Sequence, residues 1–227
     1  MYEKEQVSED IKALTIRLLE KILLCRQICF SEKIWERAKD TYSGHGVAYL
    51  RQAMVEALIA NLFRLLSVRE DERGLGRAIS YLKQNRNAGE LFEAWQECRR
   101  DLYRDKDPDV FFPGFVNDLS SKWEALFTSP KVKSLRDFRD AQVAHYLDAS
   151  RARVRYEKAG VELREPTYDE MFEIAEQAVA LSEEVFLALT LSSYDFGRDA
   201  MSQYVSEFFG EYFDINDEEY RSNLTVG

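Results

Sequence analysis

The sequence predicts an all-α protein, a bundle of helices, and three observations carry that expectation. Apolar residues recur three and four positions apart over long stretches, as the buried stripe of an amphipathic helix requires. The 227 residues include only 10 Gly and 4 Pro beside 12 Tyr and 14 Phe, a composition unlike that of disordered chains or turn-rich β-sandwiches. The four prolines, Pro108, Pro113, Pro130 and Pro166, read as lying between the periodic stretches, where a residue without an amide hydrogen does least harm. A chain of this length can bury roughly 70% of its unfolded surface, enough for a core without disulfides or structural metal.

The elements follow in order. Ile11, Leu14, Leu18, Ile22, Cys25 and Cys29, continued by Ile34 and Trp35, predict one long helix over about 8–40, stopped by Ser43-Gly44-His45-Gly46. A second helix, about 47–67, is apolar around much of its circumference through Leu50, Met54, Leu58, Leu62, Leu65 and Leu66, and is expected to be central. Arg69 to Gly74 is a charged loop. Helices near 75–84 and 90–103 come next, then a linker over 105–114 that contains two prolines. Further helices are expected at 115–127, 134–147 and 167–191. Thr167-Tyr168-Asp169-Glu170 opens the last of these as a capping box, in which each end satisfies the other's free amide. Between them, Val154, Tyr156, Val161 and Leu163 around Lys158-Ala159-Gly160 suggest a small hairpin. Residues 1–195 form the bundle domain in this reading, and 196–227 an acidic, aromatic extension packed on the bundle or on a dimer.

Charge and cysteine content narrow the classes of function. A net charge of −10 opposes casual adhesion to nucleic acid or anionic membranes. No apolar run is long enough to span a membrane and the N-terminus lacks a signal-peptide layout, so a cytoplasmic location with no membrane partner is expected. Cys25, Cys29 and Cys98 then read as reduced thiols in the core. Cys25 and Cys29 stand four apart, but zinc wants four ligands and only Cys98, His45 and His145 remain as soft partners, so neither metal nor other cofactor is expected. Nor do the carboxylates fall into paired motifs with metal-ligand spacing.

Histidine is the usual carrier of a proton step near neutral pH, and the chain has two. His45 sits among glycines. His145 closes Arg139-Asp140-Ala141-Gln142-Val143-Ala144-His145. Six residues of helix amount to a rise of about 9 Å and a rotation of about 240°, so one copy of Arg139 and His145 makes an incomplete site. A twofold copy of the same helix brings two of each to one groove. Cleaving a phosphodiester by its own 2′-hydroxyl needs an acid, a base and cations for the transition-state charge, which that set supplies. Residues 131–164 agree, with nine basic and five acidic side chains, a net of +4 that leaves −14 on the remainder. Lys133 and Arg136 are further candidates for phosphate contact. The competing reading is a solvated face with Lys133–Asp137 and Arg136–Asp140 pairs one turn apart.

The Arg139 to His145 segment resembles the signature of the HEPN superfamily, in which an Arg followed by a polar residue precedes a His by five to seven positions. Tyr49-Leu50-Arg51-Gln52-Ala53 and Leu62-Phe63-Arg64-Leu65-Leu66 are similar to the second helix of its abortive-infection (Abi) branch, and the likeness spans roughly residues 8–190. The resemblance implies a HEPN-type bundle with additional helices, acting as a homodimeric, metal-independent endoribonuclease in toxin–antitoxin or phage-defence systems. RNA and an antitoxin protein are the partners it implies, and the 134–147 helix would lie at or near the dimer interface. It assigns Arg139 to the scissile phosphate, His145 to acid–base work and Asp140 to fixing the arginine. The tyrosine that some HEPN toxins carry two residues after the His is replaced by Leu147, with Tyr146 next door. The alternative, from a different class, is a catalytically inactive helical module that binds RNA or a protein partner through the same surface. In the extension, six acids from Glu207 to Glu219 alternate with Tyr204, Phe208, Phe209, Tyr212, Phe213 and Tyr220, a face expected to pack on the bundle or a second subunit.

Overall fold

The structure is a computed structural model that describes residues 2–39, 42–67, 73–84, 92–93, 108–140, 157–158, 160, 166–191 and 198–213. Among the described residues there are eight helices and no strand: α1 Tyr2–Phe30, α2 Glu32–Ala38, α3 Tyr42–Leu65, α4 Leu75–Lys83, α5 Pro108–Thr128, α6 Pro130–Phe138, α7 Tyr168–Thr190 and α8 Arg198–Phe213. The all-α expectation holds. Tertiary contacts divide the chain into two units. The first is Met1–Thr15, Phe63–Ser129 and Glu176–Phe196, and the second is Ile16–Leu62, Pro130–Ala175 and Gly197–Gly227.

The long first helix is interrupted at Ser31. Its backbone turns extended (φ −73°, ψ 109°) and its hydroxyl accepts the Ile34 amide, capping α2. The reason is visible in the spacing: Cys29 and Ile34 are five apart, out of phase for one stripe, and the break at Ser31 restores the phase so that both are buried. Ser43-Gly44-His45-Gly46 does not terminate a helix but forms the first turns of α3. A Cβ at Gly44 would stand 2.4 Å from the Ala38 carbonyl oxygen, so glycine is there for close approach of the backbone to the end of α2.

The apolar stripe of α3 is fully buried only from Val55 onward. Val55, Leu58, Ile59, Leu62 and Leu65 are buried, whereas Tyr49 and Leu50 are exposed (74% and 44%). The expected linker over 105–114 is also corrected. Helix α5 starts at Pro108, where the missing amide costs nothing, and Pro113 lies inside it. Burial of Phe112 and Val116 on either side offsets the lost hydrogen bond, which falls near the helix start. Pro130 likewise opens α6, four residues before the expected boundary.

In the first unit, Ile11 and Leu14 of α1, Ile79 and Leu82 of α4, Phe112 and Leu119 of α5 and Val185 and Leu189 of α7 are buried. The buried Thr15 hydroxyl donates to Ser182 Oγ (2.9 Å), so neither is stranded without a partner. In the second unit, Val205 and Phe209 of α8 close over Leu23, Ile28 and Ile34. One face of the extension is thus apolar and covered, while Tyr204 and Phe208 stay exposed.

The capping box of α7 forms as expected. The Thr167 amide donates to Glu170 Oε2 (3.1 Å) and the Glu170 amide to Thr167 Oγ1 (3.2 Å). Thr167→Ala is expected to lower stability by about 1 kcal/mol, read from urea unfolding, and an unchanged midpoint would remove the cap from the account. Of the suggested hairpin, Glu157 and Lys158 are helical. Gly160 ends that turn at φ +65°, where its amide donates to the Glu157 carbonyl. Val154, Tyr156, Val161 and Leu163 lie outside the described residues, as do most of 90–103 and all of 141–147.

Candidate functional site

Helix α6 sets the position of the cationic candidates. Val132 and Leu135 are fully buried and Phe138 half-buried, a stripe at three-residue spacing that anchors one face. Lys133 and Arg136 therefore stand on the more open side, Lys133 exposed and Arg136 half-buried. Beyond Phe138 the helix widens into π geometry over Arg139 and Asp140. Such widened turns are rare and concentrate at functional sites.

Neighbouring residues on a regular helix point about 100° apart and do not face each other. Here Arg139 reaches Asp140 through two donors, Nε at 2.9 Å and Nη2 at 2.6 Å, both to Oδ1. The two side chains are 31% and 33% exposed, so the pair is partly screened and still open to a ligand. Asp140 thus turns to Arg139 and not one turn back to Arg136. Lys133 has no carboxylate partner among the described residues, and Lys131 pairs with Glu173 of α7. Chemically, α6 offers a string of cations that ends in a guanidinium whose direction a carboxylate fixes. His145 lies outside the described residues, so the structure brings together Arg139 and Asp140, with Arg136 and Lys133 on the preceding turns.

The residue before Arg139 also belongs to a cavity of about 780 Å³ within the second unit. Phe138 lines it beside Trp35 of α2, the Ala48, Arg51, Gln52, Val55 and Glu56 stripe of α3, and Pro166 to Tyr168 with Met171 at the start of α7. The sequence pattern placed Trp35 on the apolar stripe of the first helix and gave no sign of this cavity. The available signal was Arg51 itself, a cation at i+3 from Ala48 and i−4 from Val55, on one helical face with them. Its guanidinium carbon lies 4.7 Å from the Tyr168 ring centroid and 5.2 Å from that of Trp35, within cation–π range of both.

The other soft ligands are placed simply. His45 is exposed in the first turns of α3. Cys25 and Cys29 are buried with their sulfurs 3.9 Å apart. The hydrogen bond to Cys29, then burial, pushes the Cys25 thiol far up. Cys29 is held below its ordinary value by the hydrogen bond from Cys25, against burial and with help from Arg51. Among the described residues no three His, Cys, Asp or Glu side chains converge as a metal site, and no helix is long and apolar enough to cross a membrane.

Searches of curated proteins and of solved structures gave no match. A family model described as AbiU2, of the HEPN group, matches residues 5–208, from the first turn of α1 into α8. With the all-α architecture and a match across most of its length, the chain belongs to the HEPN AbiU2 family.

Proposed function

We propose that this protein is a metal-independent endoribonuclease that cleaves RNA by attack of the 2′-hydroxyl at a composite site in a homodimer, acting as a toxin or phage-defence effector in the cytoplasm. The observation that supports this most is the Arg139–Asp140 pair at the widened end of α6, with Lys133 and Arg136 on the turns before it. In this reading Arg139 holds the scissile phosphate and stabilises its developing charge. Asp140 positions the guanidinium, and His145, five residues further along, exchanges the proton. The second copy of the 134–147 helix supplies the other acid or base, because each chain has one His in this segment. An antitoxin protein would mask this groove.

The test is cleavage of a mixed-sequence RNA in excess EDTA, with the 3′ ends analysed for 2′,3′-cyclic phosphate. Cleavage that survives chelation and leaves the cyclic product supports the proposal. Cleavage that stops in EDTA and returns with added magnesium overturns it. A second reading, an inactive module that binds RNA or protein through the same face, draws on one observation: Asp140 already neutralises Arg139, so a phosphate must share or displace that carboxylate. Binding without cleavage, by a dimer, would establish it.

A further inference from the structure

Arg51 is a half-buried cation whose set of partners is incomplete. Its Nη2 donates to the Cys29 carbonyl at 2.9 Å, and its Nε is buried without any hydrogen-bond partner. No carboxylate pairs with it among the described residues. Guanidinium carries five N–H donors, more than the Cys29 carbonyl takes up, and a partly desolvated charge favours an anion beside it. The cavity it lines is of the size that small organic ligands occupy. One wall, formed by Val55, Phe138 and Met171, is apolar, with Trp35 and Tyr168 beside the cation.

The rim is polar in a directed way. Gln52 Nε2 donates to Glu56 Oε1 at 3.0 Å, which leaves the Gln52 carbonyl oxygen and the second Glu56 oxygen as acceptors at the cavity mouth. A ligand that satisfies both ends therefore needs an anion for Arg51, a flat apolar body, and an edge with adjacent donors. Guanine presents such an edge through N1–H and its exocyclic amine, and its nucleotide carries the phosphate. We propose that this cavity is a guanine-nucleotide site, with Arg51 on the phosphate, the base against Phe138, Val55 and Met171, and the Gln52–Glu56 pair on the base edge. The nucleotide can be free or one residue of an RNA strand. The site goes beyond the cleavage reading and does not depend on it.

Calorimetric titration of the full chain tests this with GMP, AMP, CMP, UMP, guanosine and inorganic phosphate. The expected result is saturable binding of GMP, with the other nucleotides, guanosine and phosphate each at least about tenfold weaker. Arg51→Lys should lose at least about tenfold in GMP affinity, because an ammonium cannot reproduce the stacked, forked guanidinium. Gln52→Ala, at an exposed position that the fold does not need, should reduce the preference for guanine over adenine. A short oligoribonucleotide that contains one guanosine separates the sources: tighter binding than GMP identifies a strand, equal or weaker binding a free nucleotide. Absence of saturable binding by GMP and by the oligonucleotide would overturn the proposal. Equal affinity for all four mononucleotides, or an Arg51→Lys protein with native circular dichroism and unchanged affinity, would do the same. None of these readouts requires cleavage, so the failure of one proposal leaves the other standing.

Discussion

Arg139→Ala and His145→Ala are each expected to lower EDTA-resistant RNA cleavage by about 10²- to 10⁴-fold while leaving the helical circular dichroism unchanged. The size follows from what each group does in the proposed step. A positioned proton carrier contributes in that range, and so does a cation aimed at charge that appears only in the transition state. The Arg139 side chain is not needed to hold the core: it is about one-third exposed, and α6 is anchored by Val132 and Leu135. Asp140→Asn should fall between wild type and these variants, since an amide oxygen still receives the guanidinium but no longer offsets its charge. Mixing the two inactive variants gives a further reading. If one groove draws Arg and His from both copies, mixed dimers carry one of each and recover part of the activity. Cleavage that persists at the wild-type rate in both single variants would remove Arg139 and His145 from the mechanism.

Much of this architecture was legible in residue spacing, and the misreadings have local physical causes. The stripe of α7 and its capping box are complete within a few residues, so pattern alone located both. The break at Ser31 was encoded as a five-residue step between Cys29 and Ile34, but an apolar count is insensitive to a single slip of phase. Gly44 and Pro113 misled for a shared reason. Both residue types end helices on intrinsic preference, yet each here lies within the opening turns, where tertiary contact decides: the Ala38 carbonyl for Gly44 and the buried Phe112 and Val116 for Pro113. The cationic character of α6 was readable from composition, whereas the turn of Asp140 toward Arg139 depends on the widened helix, which no periodicity announces. The Arg51 cavity is the same kind of case. Its lining comes from α2, α3, α6 and the start of α7, from Trp35 to Met171 in the chain, and only the fold assembles them.

Phe172→Ala is expected to cost about 3–5 kcal/mol of stability, the range for removing a buried aromatic ring. Phe172 is 1% exposed in α7, with its ring 5.6 Å from that of Phe30 at the end of α1. The Arg26 guanidinium lies 4.9 Å from the same ring, and Arg26 is itself buried. Removing the ring therefore opens a cavity and deprives a buried cation of the π face that helps to offset its desolvation. For a chain of this length each kcal/mol moves the midpoint by about 2–4 °C, so a fall of roughly 6–20 °C is expected in thermal unfolding followed at 222 nm. Phe172→Leu separates the two causes. It keeps most of the apolar volume but not the ring, and should cost about 1–2 kcal/mol, chiefly from lost ring contacts with Phe30 and Arg26. Equal losses in the two variants would mean that the π contacts, not the filled volume, dominate at this position. Because Phe172 follows Met171 of the Arg51 cavity wall, the same variants also report whether the wall needs its packing: Phe172→Leu should retain more of the affinity for GMP than Phe172→Ala, both measured well below their unfolding midpoints.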